Sequence, residues 1–143
     1  MANPKISTNN RNIIPRLAEE ALFDICYTDL MDTGWKIIYY ISANGENPVK
    51  KFLDNYPKAK LKALRILAHI EEFGLSYAIP HTKKLAGTPL WEIRILGKDS
   101  VRILYVAKHE KQIMLLHAFI KKTNKTPRKE INIGLLRLSE TDT

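Results

Sequence analysis

The feature that most constrains this chain is a run of three apolar stretches in its second half, residues 90–96, 101–107 and 111–120. Only Gly97-Lys98-Asp99-Ser100 and Lys108-His109-Glu110 separate them. Each stretch is dominated by Ile, Val, Leu and aromatic residues, and each spacer has hairpin length, so the three should pair as an antiparallel meander. A meander has two faces, and the rest of the chain must supply what covers them.

Residues 35–42 read as a further strand, aromatic and β-branched and bounded by Gly34 and Asn44-Gly45. Asn47 then looks like a helix cap with Pro48 at the first helical position, and Val49, Phe52, Leu53 and Tyr56 form one apolar stripe. Pro57 restarts a longer helix that runs to Phe73 and stops at Gly74. Its inner face is Ala59, Ala63, Ile66, Leu67, Ile70 and Phe73. Its outer face carries Lys58, Lys62, Arg65 and His69, which suits either a solvated surface or a nucleic-acid contact. Residues 75–89, with Pro80, Gly87 and Pro89, read as a loop. Thr126 can cap, and Pro127 can start, a last helix with Ile131, Leu135 and Leu138 on one side. The predicted class is α+β: an antiparallel sheet made of an N-terminal strand plus a three-stranded meander, with two helices before the meander and one after it.

Residues 1–34 form a separate extension. Residues 1–12 are polar and aperiodic, whereas 13–27 show helical spacing in Ile13, Ile14, Leu17, Ala18, Ala21, Leu22, Ile25 and Cys26. The extension holds Lys5, Arg11 and Arg16 against Glu19, Glu20, Asp24, Asp29 and Asp32. Residues 35–143 therefore keep 20 of the 23 basic side chains and 10 of the 15 acidic ones. A body so basic attracts polyanions, nucleic acid first. An acidic segment ahead of it could cover a cationic site. No leader-like or membrane-length apolar run is present, so the cytoplasm is the expected compartment and no membrane partner is expected.

Several chemistries can be set aside. Cys26 is the sole cysteine, which excludes an internal disulfide or a multi-cysteine zinc site. Gly97-Lys98 is no phosphate loop, because Glu92 occupies the place of that motif's first glycine. His69, His81, His109 and His117 lack the spacing of a helical zinc pair, so neither a metal nor a cofactor is expected. What remains is a set of cations in and beside the strands: Arg94, Arg102, Lys121 and Lys122, with His117 between them and Lys98, Lys125 and Arg128 as flanking RNA-binding candidates.

An arginine inside an apolar run needs a partner. Alternation could turn each one to solvent or to the neighbouring Glu92; alternatively they converge on a phosphate. If Leu96 pairs with Val101 and Ala107 with Gln112, Arg102 faces His117 and Arg94 lies on the other side of the sheet. A one-residue bulge, with Gly97 as a candidate, or an approach around the sheet edge would bring the arginines together. Such a site could cleave RNA without a metal, because RNA carries its own nucleophile in the ribose 2′-OH. Arginines would stabilise charge on the phosphorane oxygens, and a lysine or His117 could exchange protons.

Leu90-Trp91-Glu92-Ile93-Arg94, Val101-Arg102-Ile103-Leu104-Tyr105, Leu116-His117-Ala118-Phe119-Ile120-Lys121-Lys122-Thr123 and Lys125-Thr126-Pro127, in that order, resemble the RelE/HigB superfamily of bacterial toxins. The phage-derived, HigB-like branch is the nearest likeness. The resemblance implies a RelE-like microbial RNase fold and a type II toxin that cleaves mRNA on the ribosome, restrained by a cognate antitoxin, a small helix-turn-helix DNA-binding protein. It makes Arg102 the contact to the scissile phosphate, Arg94 a basic residue on the second strand, and Lys121 and Lys122 the cations ending the last strand. His117 falls in the branch's own motif. Glu92 stands where other members carry a second basic residue, and no tyrosine lies between Arg128 and Leu138, so the general base and the proton donor stay open. The competing readings are a ParE-like toxin that binds DNA gyrase without cutting RNA, and a basic nucleic-acid-binding regulator.

Overall fold

In this computed structural model, residues 34–142 are described. The proposed helix at 13–27 and the polar stretch before it lie outside them. The element order is β1 (Lys36–Tyr39), α1 (Pro48–Asp54), α2 (Pro57–Phe73), a 3-10 helix (Leu75–His81), β2 (Thr82–Lys84), β3 (Trp91–Ile95), β4 (Val101–Lys108), β5 (Gln112–Ile120) and α3 (Arg128–Thr141). The α+β class and the meander β3-β4-β5 are as the sequence predicts.

The sheet itself is mixed rather than purely antiparallel. Its five strands run in the order β1-β5-β4-β3-β2. β1 lies parallel to β5, with Lys36 opposite Gln112 and Tyr39 opposite Leu115. A tight turn dictates antiparallel pairing only between the strands it joins, and β1 reaches β5 through a long connection that leaves its direction free. The fifth strand, β2, lies in the predicted loop and pairs antiparallel with β3. Thr82-Lys83-Lys84 has no apolar alternation to announce it, as suits a short, lysine-bearing edge strand. The 3-10 turn ahead of it includes Pro80 and adds a fourth helical element to the three expected.

Each face of the sheet has its own core. One packs Ile93, Ile95, Val101, Ile103, Tyr105, Ile113, Leu115 and Ala118 against Val49 and Leu53 of α1 and Ala59, Ala63, Leu67 and Ile70 of α2. Asn47 caps α1 by accepting from Lys50 N at 3.1 Å, as its sequence position predicts. Phe73, assigned to the inner face of α2, is instead 55% exposed at the helix end. The second core packs Leu90, Leu104, Val106, Leu116 and Phe119 under Ile131, Leu135 and Leu138 of α3. Gly134 lets that helix approach closely: a Cβ there would meet Leu90 Cδ1 at 3.0 Å and Leu104 Cδ1 at 3.1 Å.

A bulge joins fold to site. Tyr105 faces Leu115 but Leu104 faces His117, so Leu116 is the extra residue on β5. Before it, Ile113 and Leu115 point to the α1/α2 core; after it, Ala118 and Ile120 do. The alternation has changed phase, and His117, Phe119 and Lys121 come round to the α3 face.

Candidate functional site

The observed register departs from the predicted one in both hairpins. Ile95 pairs with Val101, which sets Arg94 directly opposite Arg102 on one face. Arg102 faces Phe119 on its other side, and His117 faces Leu104. No bulge at Gly97 is needed for this, because the one-residue difference lies in the turn between Ile95 and Val101; the bulge at Leu116 shifts the β4-β5 register instead. Cross-strand partners have Cβ atoms only about 5 Å apart, so the two arginines leave the sheet as neighbours.

Beneath them is Glu92, two residues before Arg94 on β3 and wholly buried. Arg102 Nε stands 3.5 Å and Lys121 Nζ 3.6 Å from Glu92 Oε1. Thr126 Oγ1 donates to Glu92 Oε2. That bond explains the start of the last helix. Thr126, expected as its cap, spends its hydroxyl on Glu92, and the helix begins at Arg128 with Pro127 at the cap position and no side-chain capping bond. A sealed carboxylate thus binds a strand end, a neighbouring strand and the approach to α3 through three partners distant in sequence. It holds cations in place and has no route to a substrate.

Both ion pairs are longer than direct hydrogen bonds, and Arg102 Nε has no hydrogen-bond acceptor. Arg102 Nη1 donates to its own neighbour, Val101 O, at 3.1 Å. Much of the donor fork of Arg102 and of the ammonium of Lys121 therefore stays unspent, on side chains only 14% and 9% exposed, while Glu92 offsets part of their mutual repulsion. Arg94 follows a different course. β2 ends opposite Ile93, so the edge of β3 is free at Arg94, whose Nη2 donates to Pro80 O at 3.3 Å.

His117 is drawn away from these cations. Its Nε2 lies 2.7 Å from Glu130 Oε1, and Arg137 Nη1 approaches its Nδ1 at 3.3 Å while bonding Leu116 O at 2.9 Å. The geometry fits a neutral ring that donates through Nε2 and accepts at Nδ1. Burial pushes its pKa below the usual histidine value; the Glu130 hydrogen bond opposes this and the Arg137 charge adds to it. Both ring nitrogens are engaged by α3. Among the remaining candidates, Lys98 is exposed in the β3-β4 turn, and Lys122, Lys125 and Arg128 are exposed beyond the end of β5. The structure therefore gathers Arg102 and Lys121 on Glu92 with Arg94 alongside, and leaves His117 and Lys122 apart. Glu130 and Arg137 had no signal in the sequence beyond their helical spacing.

Residues 51–139 match the family described as Phage derived protein Gp49-like (DUF891). The chain belongs to that family, which falls within the RelE/HigB-type toxin group and is commonly the toxin of toxin-antitoxin systems. Membership implies a cognate antitoxin as partner. The match takes in α2, the whole meander and nearly all of α3, and so spans every residue of the Glu92 cluster. No curated protein matches the chain.

Proposed function

We propose that this protein is a toxin of the HigB-like branch that cleaves mRNA on the ribosome, by attack of the ribose 2′-OH on the adjacent phosphate. The observation that carries the reading is Arg102 and Lys121 gathered on a buried Glu92, with Arg94 opposite Arg102 across the ladder. Arg102 offers a planar donor fork to the phosphorane oxygens, and Lys121 adds a second positive charge. Glu92 is a positioning residue. It keeps two like charges close enough to act on one linkage. His117 then serves to seat α3, and proton transfer falls to the lysines or to the ribosome. Lys98, Lys122, Lys125 and Arg128 would follow the RNA backbone on either side. The antitoxin would be a small DNA-binding protein whose acidic segment covers these cations.

Induction of the wild type should arrest growth, with new transcript ends on translated messages and none on untranslated ones. Arg102→Ala should abolish the arrest and lower cleavage by about 100-fold or more, while the purified variant keeps the wild-type circular dichroism spectrum. A folded Arg102→Ala that is equally toxic overturns the assignment. Intact messages accompanied by DNA damage would instead favour action on gyrase.

A further inference from the structure

Two buried polar atoms have no part in the cluster above. Arg94 Nε and His69 Nδ1 are shielded from solvent and lack a hydrogen-bond partner. Both residues line one open cleft of about 320 Å³ between α2, the 3-10 helix and the free edge of β3. Lys62 and Arg65, from the outer face of α2, stand in the same wall, with Tyr77 and His81 opposite. Among the described residues no carboxylate lines it. A shielded N–H without an acceptor is costly unless a ligand supplies one, and the charges of Arg94 itself, Arg65 and Lys62, whose ammonium also donates to Leu96 O at 2.8 Å, select for a negative one.

The wall is completed by Ile66, Ile95 and Leu96, and the rings of His69, Tyr77 and His81 in it extend to Phe73 just outside. His69 meets Tyr77 edge-on, with ring centroids 4.7 Å apart at 62°. Phe73 and His81 each lie 6.1 Å from the Tyr77 ring. Tyr77 and Phe73 nevertheless stay 37% and 55% exposed, an unusual outlay of aromatic surface unless a planar group stacks there. Anion-binding cations interleaved with open aromatic faces are the combination that holds an unstacked nucleotide. Arg94 links this cleft to the cluster. Its backbone lies opposite Arg102, and its side chain passes the sheet edge to Pro80.

We infer that the cleft takes one unstacked nucleotide of single-stranded RNA, its base against Tyr77 and its phosphate between Arg65 and Arg94. The inference rests on the RNA-directed reading of the protein and assigns that reading a second contact. The nucleotide can belong to the message or to ribosomal RNA, since the recognising chemistry is the same.

The test is binding of the purified full chain to a single-stranded 2′-O-methyl hexanucleotide, which cannot be cut, and to a duplex of the same sequence. The single strand should bind more tightly. Tyr77→Ala should weaken it about tenfold, and Tyr77→Phe should restore it. Arg65→Gln, at an exposed position, should lower the slope of log affinity against log salt by about 0.7. If Tyr77→Ala and Arg65→Gln both bind as the wild type does, the inference fails. Because the probe is inert, this outcome is independent of the nuclease reading. Toxic Arg102→Ala with an intact Tyr77 effect would sink only the cleavage assignment. A changed base preference beside the cut in Tyr77→Ala assigns the nucleotide to the message. An unchanged preference with weaker binding to purified ribosomes assigns it to ribosomal RNA.

Discussion

On the α3 face of the sheet two carboxylates each collect basic side chains, and they do so differently. Glu92 is sealed from solvent, and its cations stand off at 3.5 and 3.6 Å. Glu130 is partly exposed and bonds His117 at 2.7 Å, while Arg137 occupies the other ring nitrogen. The first arrangement leaves guanidinium and ammonium donors unspent; the second occupies both nitrogens of the His117 ring. Positive charge alone does not mark the binding centre in this molecule. Under the proposed function, donor groups held in place but not satisfied do.

The sharpest way to break this contrast is to remove each carboxylate in turn. Glu92→Gln leaves Arg102 and Lys121 facing one another without a counter-charge and should destabilise the fold by about 3 kcal/mol in denaturant titration, with toxicity lost as well. Glu130→Gln, at a wetter site, should cost only about 1 kcal/mol and leave message cleavage intact. Equal losses of stability and activity in the two variants would erase the distinction.

A finer probe uses acidity. The folded pKa of His117 is depressed, so in the window below the ordinary histidine value of about 6.5 the unfolded chain binds more protons than the native one. The stability His117 contributes is therefore complete above that value and declines as pH falls through the window towards the folded pKa. In His117→Gln this decline should vanish, leaving a flatter stability profile between pH 7 and pH 5 on the order of a few tenths to 1 kcal/mol apart from the wild type. Identical profiles would separate the ring from the Glu130-Arg137 clamp.

How much of this was legible beforehand follows from what alternation can encode. The meander was plain in the apolar runs and their short spacers, and α2 in its inner stripe of Ala59, Ala63, Leu67 and Ile70. The arginines stood out as charges among Ile and Val. Their register did not, because a one-residue difference at the β4-β5 turn and the bulge at Leu116 together move Arg102 from facing His117 to facing Phe119, while a one-residue difference at the β3-β4 turn sets Arg94 opposite it. The phase change at Leu115-Leu116 was written in the sequence as two adjacent apolar residues, and it decides that Lys121 rather than Lys122 meets Glu92. The linkage of Glu92 to Thr126 and Lys121 joins positions about 30 residues apart, which no local pattern announces. The edge strand β2 was hidden for the opposite reason: its three residues are too few and too polar to alternate.

The parallel seam between β1 and β5 also bears on how the protein is made. Lys36 finds its partner only at Gln112, so β1 has no neighbour to join until the meander that follows it has been synthesised. Late, long-range closure of this kind slows folding. During translation it would delay completion of the sheet that carries Arg94, Arg102 and Lys121 until β5 has emerged from the ribosome.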